Sequence, residues 1–365
     1  MMGGLPMNNL EQVASANSGI EQTPYSVIQH NVDNINLTAT EIGQLWGTYM
    51  AQSMSKCMLP YFIEKCKDPD IRSVLQYTLD VSTQHINSMT ELFNKANFPI
   101  PHGFTDEDFD INAKPLFSDS YMLIYTRFVA KYGLSNSQLA FTVSTRPDIC
   151  GFFEGCLMNF IEIHKKANEV LLAKGLLERA PNIPIPDRVE YVHDVQSFYK
   201  GLIGQKRPLN ALEIGHIAQI IISRSIQNAL ILGFGQVVKS QKIKDYLSRG
   251  KKITDKQMKV LSSLFTDEDL PIPITYQSQV TDSTESPFTD KLILFHLSVF
   301  IAHSVTELGY ATANCARLDL VVTCARLVAE LTDYVKDGID LSIENGWLER
   351  IPESAERKEL RNQTH

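Results

Sequence analysis

The feature that most constrains this chain is that its sequence repeats. Leu37–Pro181 carries a pattern that returns over Leu209–Pro352. The opening Leu37-Thr-Ala-Thr-Glu41-Ile42-Gly43 is answered by Leu209-Asn-Ala-Leu-Glu213-Ile214-Gly215, and Phe98-Pro99-Ile100-Pro101 by Leu270-Pro271-Ile272-Pro273, both 172 positions on. The ends match at 171: Gly175-Leu-Leu177-Glu178-Arg179-Ala-Pro181 against Gly346-Trp-Leu348-Glu349-Arg350-Ile-Pro352. An offset that drifts by one residue over so long a stretch marks a tandem duplication. The period is far above the 20–50 residues of solenoid repeats, so each copy is expected to be a whole domain with its own core.

Each copy reads as four long helices. In copy one, Thr38-Ala-Thr-Glu41 is a capping box, and the helix it opens runs to about Lys65, with Pro60 as a possible kink point. Asp68-Pro69-Asp70 ends it and starts the next, where Ile71, Val74, Leu75, Leu79, Ile86, Met89 and Phe93 recur at helical steps until near Asn97. Residues 98–118 form a connection too long for an ordinary turn. A crossover of that length can return the chain along a helix of about 42 Å, so that the third helix (119–144) runs parallel to the second. Thr145-Arg-Pro147-Asp148 opens the fourth, which ends at Gly175. Copy two predicts helices near 210–239, 242–268, 289–314 and 316–346, with its crossover over 270–287. Residues 1–36 are expected to be a flexible leader, 182–208 a linker with a short helix within 189–202, and 353–365 a fraying tail. Two helices, a long crossover and two more helices is the one-crossover, ferritin-like topology. The predicted class is all-α, two such bundles in tandem.

Composition narrows the function. A net charge of −8 with no dense Lys/Arg cluster argues against a nucleic-acid surface. The most apolar windows, Ile217–Phe234 and Leu292–Val305, read as core helices and not membrane spans: the first contains Gln219, Arg224, Gln227 and Asn228, and the second is short and holds two histidines. Six cysteines without a CxxC motif, after an N-terminus with no secretion-signal pattern, fit reduced, buried thiols in a cytoplasmic protein.

One-crossover bundles often hold two iron or manganese ions, using one Glu from each of two helices and Glu-x-x-His from each of the other two. Within the predicted bundle helices only one such motif stands, Glu213-Ile-Gly-His216, and Glu213 matches Glu41 at the third helical position, where a glutamate caps. The second helices offer His85 against Gln257. The third offers His296, His303 and Glu307 in copy two against Tyr125, Tyr132 and Asn136 in copy one. Glu162 and His164, two apart, face different ways, and Glu330 and Asp333 add carboxylates only. The best ligand set is therefore His296, His303 and Glu307, at most a mononuclear site, with His216 a weaker addition. No cofactor is expected, and iron or manganese is the alternative.

No phosphate loop, dinucleotide fingerprint or nucleophile elbow occurs. Gly233-Phe-Gly235 is expected to permit close helix packing. The acidic runs 105–108 and 266–269 are expected to be solvated turns.

The Glu-Ile-Gly openings, both Pro-Ile-Pro crossovers, Lys206-Arg-Pro-Leu-Asn210, Val280-Thr-Asp-Ser-Thr284 with Ser286-Pro-Phe288, and Asn345-Gly-Trp-Leu-Glu349 resemble the domain of unknown function family 3231 of Gram-positive spore-formers. The resemblance covers about residues 30–355. It implies a tandem pair of ferritin-like bundles, distantly similar to the spore coat protein F group, and carries no activity. The functional expectation is a non-enzymatic structural or interaction protein, packed as a pseudo-dimer within one monomeric chain and linked to sporulation or the spore coat. Its rivals are an iron- or manganese-using enzyme with an atypical site in copy two, and a binder of an apolar ligand held within a bundle, suggested by the aromatic third helix of copy one.

Overall fold

The computed structural model describes residues 32–201 and 206–357. Among these, nine α-helices and no strand occur: α1 (Ala39–Lys65), α2 (Pro69–Lys95), α3 (Asp119–Val143), α4 (Pro147–Ala173), the short α5 (Val195–Tyr199), α6 (Ala211–Val237), α7 (Gln241–Thr266), α8 (Asp290–Asn314) and α9 (Leu318–Glu344). The leader and tail readings fall mostly or partly outside the described residues, as does Gly204 of the linker. Val32–Asn34 is a single 3₁₀ turn.

The helix ends are written in local chemistry. Both capping boxes form, with Thr38 and Glu41 on α1 and Asn210 and Glu213 on α6. Asp68 caps α2 through the amides of Asp70 and Ile71, with Pro69 in the first turn. The third-helix caps, Ser118 and Thr289, accept from Tyr121 and Leu292. Gly175 and Gly346 follow α4 and α9 at φ 67° and 68°, the left-handed conformation that ends a helix and suits glycine.

The two halves are similar. In each, the first helix packs on the second and third, and the fourth on the second and third. The described residues from Leu37 onward nevertheless form one compact unit, and the largest buried apolar cluster runs through both halves, from Met58 and Phe62 to Phe234 and Leu294. The first half adds two smaller clusters, around Phe93 and Phe153 and around Cys156 and Phe160. The sequence led us to expect a separate core for each copy; the copies instead bury apolar surface against one another. Both α6 and α8 are long and apolar enough to cross a membrane by length and composition, yet 89% of the most apolar window of α6 is buried inside the fold. A helix apolar on all sides is what a shared core demands.

The crossovers join the halves by backbone. Asp110 N donates to Pro287 O and Thr289 N to Asp108 O, while Ser118 N donates to Gln279 O and Thr281 N to Leu116 O. The terminal loop of each copy then reaches the crossover of the other. Glu349 accepts from the amides of His102 and Gly103 at 2.9 and 2.8 Å, and its counterpart Glu178 accepts from Ile274 N at 3.3 Å. The duplicated Pro-Ile-Pro and Leu-Glu-Arg motifs are thus two sides of one contact, made twice. Two acids expected to be solvated are structural instead: Asp108 is buried and accepts from Thr289 Oγ1, and Glu268 pairs with the buried Arg317 guanidinium at 2.5 Å.

Candidate functional site

Glu213 is committed to structure. Its carboxylate accepts from Asn210 N, from Ala316 N and Arg317 N at the start of α9, and from both terminal nitrogens of Arg207. Glu41 does the same in the first half, accepting from Thr38, Thr145 and Arg146 amides. Burial alone would raise both carboxyls, but these donors overcome it and hold each at about 2. Each glutamate ties the start of the first helix to the turn between the third and fourth.

His296, His303 and Glu307 lie on one face of α8, and that face meets the first half. His296 is fully buried and shares a 3.0 Å hydrogen bond with Tyr125 Oη. Burial without a charged neighbour pushes its imidazole down to about 3, so it is neutral. His303 lies edge-on to Tyr132, with ring centres 5.4 Å apart. Tyr125 and His296 occupy equivalent positions of the two copies, and so do Tyr132 and His303. Equivalent residues that touch are what a two-fold interface puts on its axis.

Glu307 receives Lys131 Nζ at 2.6 Å and Ser223 Oγ at 2.7 Å, with His303 Nε2 3.3 Å away. Burial opposes its charge, but His303 and the Lys131 ammonium hold the carboxyl low. This donor set does not fit a di-iron or di-manganese centre. The only Glu-x-x-His on a bundle helix has its glutamate in a cap, His296 is engaged by Tyr125, and no group of three or more His, Cys, Asp or Glu that could hold a metal occurs among the described residues. His85, the first-half candidate, is buried against Phe152 and Phe160 and hydrogen-bonds Asn159 at 3.0 Å.

Two cavities flank the Tyr132–His303 contact. One, of about 280 Å³, is lined by Lys131 and Ser135 of α3, His216 and Gln219 of α6, and His303 and Glu307 of α8. It brings three of the four candidate ligands to one space and leaves out His296. The other, of about 420 Å³, is lined by Gly43 and Gly47 of α1, Phe295 and Val299 of α8, and Trp347 and Leu348 beyond α9. The two are counterparts under the repeat. Gln44 and Gly47 at the second stand where the first has His216 and Gln219; Tyr132 and Asn136 stand for His303 and Glu307; Ala302 stands for Lys131. One duplicated space has become charged and the other apolar.

A buried polar cluster escaped the sequence reading. Arg224 of α6, 1% exposed, donates to Gln227 and Ser304, while its Nε and one terminal nitrogen have no partner among the described residues. Four polar residues in the apolar window of α6 were the signal, read only as evidence against a membrane span. Gly233 does permit close packing: a methyl group there would come within 2.7 Å of the Phe117 ring. All six cysteines are free and five are buried.

The model of the family described as protein of unknown function (DUF3231) matches residues 26–189 and again 197–360. The chain belongs to that family, as two tandem copies. Among solved structures, a candidate spore coat protein from Bacillus halodurans C-125 is similar at 17% identity, with a TM-score of 0.37, over 44% of this chain and 100% of its own length. No curated protein matches the chain.

Proposed function

We propose that this chain is a non-enzymatic structural or interaction protein. It is built as two ferritin-like four-helix bundles, residues 37–181 and 209–352, fused into a pseudo-dimer that is monomeric in solution. One observation carries the reading: His296 and His303, the best candidate ligands, face Tyr125 and Tyr132, their own counterparts in the other copy. Side chains that could have built a metal centre support a fused two-fold interface instead. The setting we infer, from the family resemblance alone, is the cytoplasm of a sporulating cell or the spore coat.

The test is elemental analysis of untagged protein purified without chelator, with mass determination in solution. The expected result is a monomer with sub-stoichiometric iron, manganese and zinc, and a melting temperature indifferent to chelation. One equivalent of metal per chain with turnover of oxygen or peroxide would overturn the proposal. That second reading has an observation of its own, since His216, His303 and Glu307 line one cavity and Glu307 Oε2 has no hydrogen-bond partner among the described residues. Iron or manganese there would have to compete with the Lys131 ammonium. Metal that binds in the wild type and is lost in Glu307→Gln would support it.

A further inference from the structure

We propose that the apolar cavity between α1, α8 and the end of α9 binds a medium-chain monocarboxylate, its chain in the cavity and its carboxylate on Lys291. The first observation is the emptiness of the α1 wall. Gly43 and Gly47 stand one turn apart inside a long helix, where glycine costs stability. At neither position would an added Cβ meet any atom within 4 Å, so helix packing does not account for them. What they do is keep that wall of the cavity flat.

The second observation is the lining. Both tryptophans of the chain, Trp46 and Trp347, face this one space, with Met50, Phe295, Val299 and Leu348. Its volume of about 420 Å³ accommodates roughly 14 methylene- or water-sized groups at about 30 Å³ each. That is room for a chain of ten to fourteen carbons.

The third observation is the polar end. Lys291 Nζ lies over the Phe104 ring and makes one hydrogen bond, to Gly103 O, which leaves ammonium protons unused. Among the described residues it has no carboxylate at ion-pair distance. Glu349, the one acid at the cavity, has both oxygens taken by the amides of His102 and Gly103. A ligand carboxylate would complete the coordination of Lys291. The duplicate cavity serves as an internal comparison: with Gln219 for Gly47 and Lys131 for Ala302, it is smaller and already holds its own ion pair, Lys131 with Glu307.

The experiment is titration of the full chain with dodecanoate, below the concentration at which dodecanoate aggregates, followed by intrinsic fluorescence of Trp46 and Trp347. Saturation at one equivalent is expected. Gly47→Leu and Ala302→Leu fill the space from opposite walls, and each should weaken binding more than about tenfold without lowering the melting temperature. Lys291→Gln should weaken dodecanoate about fivefold and leave dodecanol unchanged. No saturable signal, or binding that survives both filling variants, would overturn the site. Equal effects of Lys291→Gln on acid and alcohol would overturn the placement of the head. Should one filling variant fail to fold, the other decides.

Discussion

Replacing Glu41 by Gln tests how the four helices of the first half are tied together. The carboxylate is completely buried, and it accepts backbone amides from Thr38 at one helix start and from Thr145 and Arg146 at another. A carboxyl at about 2 in the fold and near 4.5 when unfolded contributes about 3 kcal/mol at neutral pH. Glutamine keeps one carbonyl acceptor but turns an NH₂ toward an amide donor, so a loss of about 2–3 kcal/mol is expected. The sign is that of a depressed carboxylate. Its contribution is complete above pH 4.5 and fades as the pH falls toward 2, so the gap between wild type and variant should narrow over that window. Urea unfolding followed by far-UV circular dichroism at pH 7, 4 and 3 measures it. A loss below about 0.5 kcal/mol at pH 7, smaller than an ordinary buried hydrogen bond, would refute the reasoning. So would a gap that is the same at pH 3 as at pH 7.

Further outcomes follow from the same geometry. Glu213→Gln should cost more than Glu41→Gln, because it also strips Arg207 of its carboxylate partner; parallel urea curves decide the order. Tyr125→Phe orphans the buried His296 ring and should cost about 1–2 kcal/mol by thermal melting, with no cost if the contact is incidental. Glu349→Ala should destabilise more than Glu178→Ala, since the first removes the acceptor of two backbone N–H hydrogen bonds and the second that of one longer one; equal losses would contradict the structure. Gly250→Ala drives a methyl group to within 2.2 Å of Tyr334 Oη and should cost about 2 kcal/mol or more, unless the stacked Tyr246–Tyr334 pair can move aside. Burial pushes the Cys57 thiol up to about 12 and Cys66 up to about 11, and Cys150 is raised as well but is partly exposed, so a thiol reagent at pH 8 should modify Cys150 before the rest.

Much of the local architecture was legible because it is local. Thr38 with Glu41, or Asp68 with Pro69, announces a helix start whatever surrounds it, and the repeat then transfers each boundary to the second copy. The capping role of Glu213 was readable for the same reason, and that reading took the one Glu-x-x-His of the bundle helices out of contention. Contacts between the copies were not legible. A helical period shows which face of α8 is apolar but not what covers it, so His296 and His303 looked like candidate ligands until Tyr125 and Tyr132 were found against them. Pairing of Asp110 with Pro287 or Ser118 with Gln279 runs through backbone atoms and leaves no trace in residue type. The two cavities are the product of both effects, since each wall comes from a different copy.

The shared core also sets a schedule for synthesis. Tyr125 and Phe128 emerge about 170 residues before the α8 side chains that cover them, His296 and Phe300. At ribosomal rates of about 5–20 residues per second, that face waits roughly 10–35 s for its partner. Until then a nascent first half displays that apolar face to whatever lies near the ribosome. Fusion of the copies ends that exposure as soon as α8 is made, because the partner then arrives on the same polypeptide at high effective concentration.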